Sequence, residues 1–131
     1  MMVNAGTDQG VMINKPVIFQ GILIGKVEKV FSNSALIQTI FDSSFKTPVR
    51  VGSGGYDALL MGGAYPKVAM IQKTAGIQPG DIIYSTSEGF PYGLPIAITE
   101  STTTSLDNLF QEAPLSVAYD INSIQTVFIA Q

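Results

Sequence analysis

The chain has 131 residues, a length for one compact domain or two very small lobes. It contains no cysteine and no histidine. That removes disulfides, thiolate metal sites, the commonest general base and the commonest metal ligand together. A net charge of −3 also argues against nucleic acid, for which Lys and Arg on phosphates supply most of the affinity.

The charge is unevenly placed. Residues 1–73 hold all seven basic residues against four acids, whereas residues 74–131 hold six acids and no base. Such asymmetry could guide head-to-tail self-association, or the two sets could intermix on one surface. The chain is 46% hydrophobic and only 13% charged. Either the core is large or part of the surface is built to be covered by a partner.

In chain order, strand signals recur between clusters of Gly, Pro, Asn, Asp and Ser. Val11–Ile13 and Val17–Phe19 flank Asn14-Lys15-Pro16, and Ile22–Phe31 follows Gly21. Leu36–Phe41 comes next, then Thr47–Val51 with Thr47, Val49 and Val51 on one face. Tyr56–Met61 and Val68–Ile71 bracket Gly62-Gly63. Pro79-Gly80 reads as the centre of a tight turn, with Asp81 as a turn residue and Ile82–Thr86 leaving it as a strand. Leu94, Ile96 and Ile98 alternate on one face, as do Leu115, Val117 and Tyr119, and Ile124–Ala130 closes the chain. Ser105 is the one helical signal, capping a turn with Leu106, Leu109 and Phe110 on one face.

About ten short strands with turns at regular spacing predict an all-β fold. The expected form is two small β-barrel lobes of short antiparallel strands with at most one helical turn. Gly52-Ser53-Gly54-Gly55 and Ser101–Ser105 are the expected lobe boundaries. They give one lobe of residues 1–55 plus 105–131 and an inserted lobe of residues 56–104.

The residues offer little to catalysis. Without His or Cys the usual triads are excluded. Ser43 stands three before Lys46, but between two strand segments and not at a helix start, so a solvated lysine in a turn is the reading. The acids show no paired spacing of the glycosidase kind and no calcium-loop pattern, and the glycines of 52–55 lack the dinucleotide spacing. No catalytic, cofactor-binding or metal-binding residue is assigned, and no cofactor is expected. A hydrolase using carboxylates is the weakest reading. Aromatic residues are better candidates. Phe90-Pro91-Tyr92-Gly93-Leu94-Pro95 is a rigid apolar connection, and Phe90, Tyr92 and Tyr56 are candidate partner contacts. The alternative is that Phe90 and Tyr92 plug a barrel end.

Several segments, in order, resemble the rod shape-determining MreC family. These are Gly21-Ile22-Leu23-Ile24-Gly25-Lys26-Val27, Ser32–Ile37, Asp42–Phe45 with Pro48-Val49, Ile77–Ser87, Phe90–Ile96, Phe110–Ala113 and the closing Ile124–Ile129. Glu88 and Ala97 stand where the family has glycine. The resemblance implies a non-enzymatic, extracytoplasmic β domain with two small barrels. It would scaffold cell elongation and peptidoglycan synthesis, self-associate, and bind a penicillin-binding protein and other elongation-complex proteins. Contact with the membrane would come only through an upstream helix. The longest apolar stretch, Val17 to Val27, is too broken and short to span a bilayer, and no basic leader precedes it. The chain is therefore expected to be a fragment of a longer protein. A barrel from a membrane-fusion or adaptor protein of an export system is the alternative, since Pro-Gly-Asp turns occur there too.

Overall fold

The computed structural model describes residues 1–130. Its strands are β1 (Met2–Val3), β2 (Pro16–Phe19), β3 (Ile22–Val30), β4 (Ala35–Thr39), β5 (Lys46–Val51) and β6 (Tyr56–Met61). They continue as β7 (Lys67–Gln72), β8 (Ile82–Ser85), β9 (Pro95–Thr99), β10 (Thr103–Thr104), β11 (Phe110–Ser116) and β12 (Phe128–Ile129). Apart from short 3-10 turns at Thr7–Gln9 and Ile121–Ser123, no helix occurs among the described residues.

Two sheets result. The order β1-β4-β3-β2-β12 makes a half-barrel sheet from the chain ends. The order β10-β11-β7-β6-β5-β8-β9 makes the second, and pairing of β11 with β9 closes six of its strands into a barrel. Closure runs through the Leu115–Thr99 and Ser116–Ile98 pairs and covers part of the edge β9 would otherwise present to uncontrolled strand addition. All the pairings are antiparallel.

Local chemistry explains the turns. Gln20 and Gly21 both have positive φ, 50° and 80°, and join β2 to β3 in the two-residue turn whose twist suits a hairpin. Gln78-Pro79-Gly80-Asp81 is the expected tight turn. Gly80 takes φ 88°, the Asp81 N–H donates to the Gln78 carbonyl, and the Asp81 carboxylate accepts from the Gln78 N–H at 2.9 Å.

Alternation sets the cores. Thr47, Val49 and Val51 are all buried, while Lys46, Pro48 and Arg50 of the same strand are exposed. Val49 and Val51 join Phe45, Leu60, Val68, Ile71, Ile83 and Ile96 inside the barrel. A second core lies under the half-barrel sheet and contains Val11, Val17, Ile24, Val27, Ala35 and Ile37.

Several expectations are corrected. The barrel sheet includes β5 and β11, so the chain passes from one sheet to the other near residues 40–45 and back near 117. Gly52–Gly55 is the hairpin turn between two barrel strands, closed by the Gly55 N–H on the Gly52 carbonyl. Residues 101–105 carry β10, which pairs with β11. Ser105 does begin a turn, but its hydroxyl accepts from the Phe110 N–H within the β10–β11 hairpin, so no helix forms. Val11–Ile13 forms no strand, although Val11 is buried, and of 124–130 only Phe128–Ile129 pairs. The strand expected at Leu115–Tyr119 is displaced toward the N-terminus as Phe110–Ser116.

Candidate protein-binding surface

The three aromatic candidates sit on different supports. The segment 87–94 is tied down by the Ser85 hydroxyl accepting from the Ser87 N–H, by the Phe90 N–H on the Ser87 carbonyl, and by a hydrogen bond between the Ser87 and Thr47 hydroxyls. From this support Tyr92 projects with 81% of its surface exposed. Phe90 is half-buried and packs on the barrel core. It lines a cleft with Phe45 and Lys46 that reaches Asn14 and Lys26 of the other sheet's segment. Tyr56 is also half-buried against the barrel core, its ring lying so close to Gly54 that a Cβ there would strike it.

These residues do not form one patch. Thr47 anchors the Phe90 loop, and Val51 pairs with Tyr56. Four residues of extended strand separate those anchors, roughly 13 Å. Of the three, only Tyr92 has the exposure of a contact residue. Phe90 and Tyr56 are held by the core as well as by the surface.

A second apolar region was not legible as a site. Ile82 and Ile98 are direct cross-strand partners on β8 and β9, 53% and 42% exposed. Plain alternation would place Ile96 and Ile98 on one face. A bulge overturns this: Ile83 pairs with Ala97 and Tyr84 with Pro95, leaving Ile96 extra. Ile96 and Thr99 then point inward and Ile98 outward. The Ile-rich alternation was the available signal, but it pointed Ile98 into the core. Tyr65 and Leu106 are likewise exposed, on the β6–β7 and β10–β11 connections.

The electrostatics are modest. Lys67 meets Glu112 across β7 and β11 at 3.3 Å, so part of the basic and acidic halves intermixes. Arg50 faces Asp57 at 3.3 Å in an exposed cross-strand pair. At the β10–β11 tip, the Ser105 hydroxyl and the Leu109 N–H donate to Asp107 and hold its carboxyl below the usual value. Burial pushes the Tyr119 hydroxyl up to about 12. Among the described residues no group of His, Cys, Asp or Glu is arranged to hold a metal ion, and no helix is long and apolar enough to cross a membrane.

Comparison with known proteins decides the family. The family described as rod shape-determining protein MreC, barrel core, matches residues 1–131. The chain belongs to the MreC family. It is 28% identical over 99 residues to the cell shape-determining protein MreC of Caulobacter vibrioides (strain NA1000 / CB15N). That match takes in 72% of this chain and 29% of the relative, so the chain spans under a third of that protein's length. The crystal structure of MreC from Pseudomonas aeruginosa superposes with a TM-score of 0.87 at 25% identity, covering 99% of this chain and 87% of that one. A complex between penicillin-binding protein PBP2 and MreC from Helicobacter pylori also shares the fold. There the TM-score is 0.72 at 16% identity, over 91% of this chain and 79% of the other. Membership of a shape-determining family favours the MreC reading over the export-adaptor barrel.

Proposed function

We propose that this MreC-family barrel domain acts outside the cytoplasmic membrane as a non-enzymatic scaffold of cell elongation. It holds a penicillin-binding protein and other peptidoglycan-building proteins by direct contact, and it self-associates. The family match over the whole chain carries this reading. The likeness to an MreC solved with PBP2 supports the partner class, and the likeness to a domain described as periplasmic supports the location.

The physical character of the surface agrees. Binding of this kind needs exposed apolar anchors on a rigid support, not titrating groups. Tyr92 is such an anchor, an aromatic with few rotors on a hydrogen-bonded loop. Phe90 and Tyr56 contribute by supporting the surface around them. The two lobes are proposed with the sheet limits, residues 46–116 as the barrel and the flanking segments as the half-barrel.

The test uses the full-length protein in its own cell. Its co-purification with the elongation transpeptidase should fall several-fold on Tyr92→Ala and less on Tyr56→Ala. Phe90→Ala should weaken it in step with lost stability. If the transpeptidase never co-purifies with the intact protein, the scaffold reading fails. If it does so equally with all three variants, the aromatic surface is wrong.

A further inference from the structure

One groove crosses the junction between the two sheets. It begins as an apolar cavity of about 350 Å³ on the outer face of β8 and β9, where Ile82, Ile98 and Val117 meet Ile22 of β3. Ile22 and Ala118 also line the adjoining cavity of about 270 Å³, which extends along Phe19 and Tyr119. Phe19 and Gln20 in turn line a third, which ends at Val127 and Phe128 beside β12. Each shares lining residues with the next, first Ile22 and Ala118 and then Phe19 and Gln20, so the three depressions adjoin one another.

The groove carries a single charge. Of all the residues lining the three parts, only Asp120 is ionisable at neutral pH. Its carboxylate accepts from the Asn122 N–H at 3.0 Å and the Ser123 hydroxyl at 3.3 Å, which fixes its direction and leaves lone pairs free. No Lys or Arg lines any of the three parts to offset it. The site therefore favours apolar side chains accompanied by a cation, and it disfavours anionic lipid headgroups.

We propose that this groove takes an extended apolar segment of a partner protein and pairs one Lys or Arg of that segment with Asp120. The inference rests on the protein-binding reading above and names the chemistry of one contact. A succession of adjoining depressions suits a strand-like peptide, whose alternate side chains reach one face. The bulge that turns Ile98 outward supplies the hydrophobic wall at one end.

The 131-residue chain is labelled with 15N and titrated with two nonapeptides, alternating Val and Thr, that differ only in a central Arg or Glu. The Arg peptide should shift the amides of Ile22, Ile98, Ala118 and Asp120 and bind about three- to fivefold tighter than the Glu peptide, the size of an accessible ion pair. Asp120→Asn should abolish that preference while leaving the melting temperature unchanged. Ile98→Asp should weaken both peptides. Equal binding of the two peptides, or shifts confined to other surfaces, would overturn the proposal. So would Ile98-dependent dimerisation in sedimentation, which would give the groove to a second copy. Ile98-dependent binding to vesicles of phosphatidylglycerol would overturn it as well, by giving the groove to lipid. Transpeptidase co-purification that survives Ile98→Asp in the full-length protein would leave the scaffold reading standing and remove this groove from that contact.

Discussion

Leu23 and Ile24 are neighbours in β3, both fully buried, yet they belong to different cores. Successive strand side chains point to opposite faces. Leu23 therefore enters the barrel core beside residues such as Ile96, while Ile24 packs under the half-barrel sheet with Val17 and Val27. One strand thus ties both halves together. Leu23→Ala and Ile24→Ala should each cost about 2–5 kcal/mol in thermal or urea unfolding. Amide exchange should separate them. Leu23→Ala should speed exchange in β8 and β9, and Ile24→Ala in β2 and β4. Identical exchange patterns would show that the cores are not separately sensed.

Tyr119 supports a second tie. Its ring meets Phe19 edge-on at 6.1 Å and Phe41 at 6.3 Å. Its hydroxyl is buried with no hydrogen-bond partner. Tyr119→Phe should therefore keep the packing and raise stability by about 1 kcal/mol, because a desolvated unpaired group is removed. A stability loss would show that the hydroxyl is paired in solution.

The same residue predicts an alkaline limit. The folded-state value is about 12 against an ordinary 10.0. Below pH 10 the hydroxyl is neutral folded or unfolded, so it contributes no slope. Between 10 and 12 the unfolded chain loses the proton first, and stability falls as pH rises. Denaturant midpoints measured across this range should decline in the native chain, and the part due to Tyr119 should vanish in Tyr119→Phe.

Gly25 of β3 lies tightly against the β4 backbone. A Cβ there would run into the Gln38 carbonyl oxygen and lie 2.9 Å from the Thr39 Cα, both backbone atoms that cannot rotate away. Gly25→Ala should cost at least about 2 kcal/mol, at the upper end of overpacking effects. Circular dichroism melts check this, and an unchanged midpoint would mean the strands separate freely here.

Asp107 gives a local test at the β10–β11 tip. The Ser105 hydroxyl is the main reason its carboxyl titrates below 3.8. Carbon-detected NMR should find the Asp107 midpoint lowered in the native chain and returned toward the ordinary value in Ser105→Ala. Because the folded value is depressed, the hairpin gains from ionised Asp107 above the ordinary value and loses that gain as pH falls through the lower one.

Much of the fold is written locally. The β5 alternation of Thr47, Val49 and Val51, the Gln78–Asp81 turn and the Tyr56–Met61 strand follow from side-chain period and turn chemistry within a few residues. Lack of His and Cys likewise bounds the chemistry without any coordinates, and the ordered motifs indicate the family. Tertiary pairing decided the rest. Two-residue strands such as Met2–Val3 and Thr103–Thr104 exist only because β4 and β11 supply their hydrogen bonds, so no local pattern marks them. Gly52–Gly55 resembles a linker in composition, yet as a hairpin turn it joins two strands of one barrel. The outward turn of Ile98 depends on a one-residue mismatch between β8 and β9, which neither strand records alone. The groove and its lone Asp120 arise where residues far apart in the chain meet across the sheet junction.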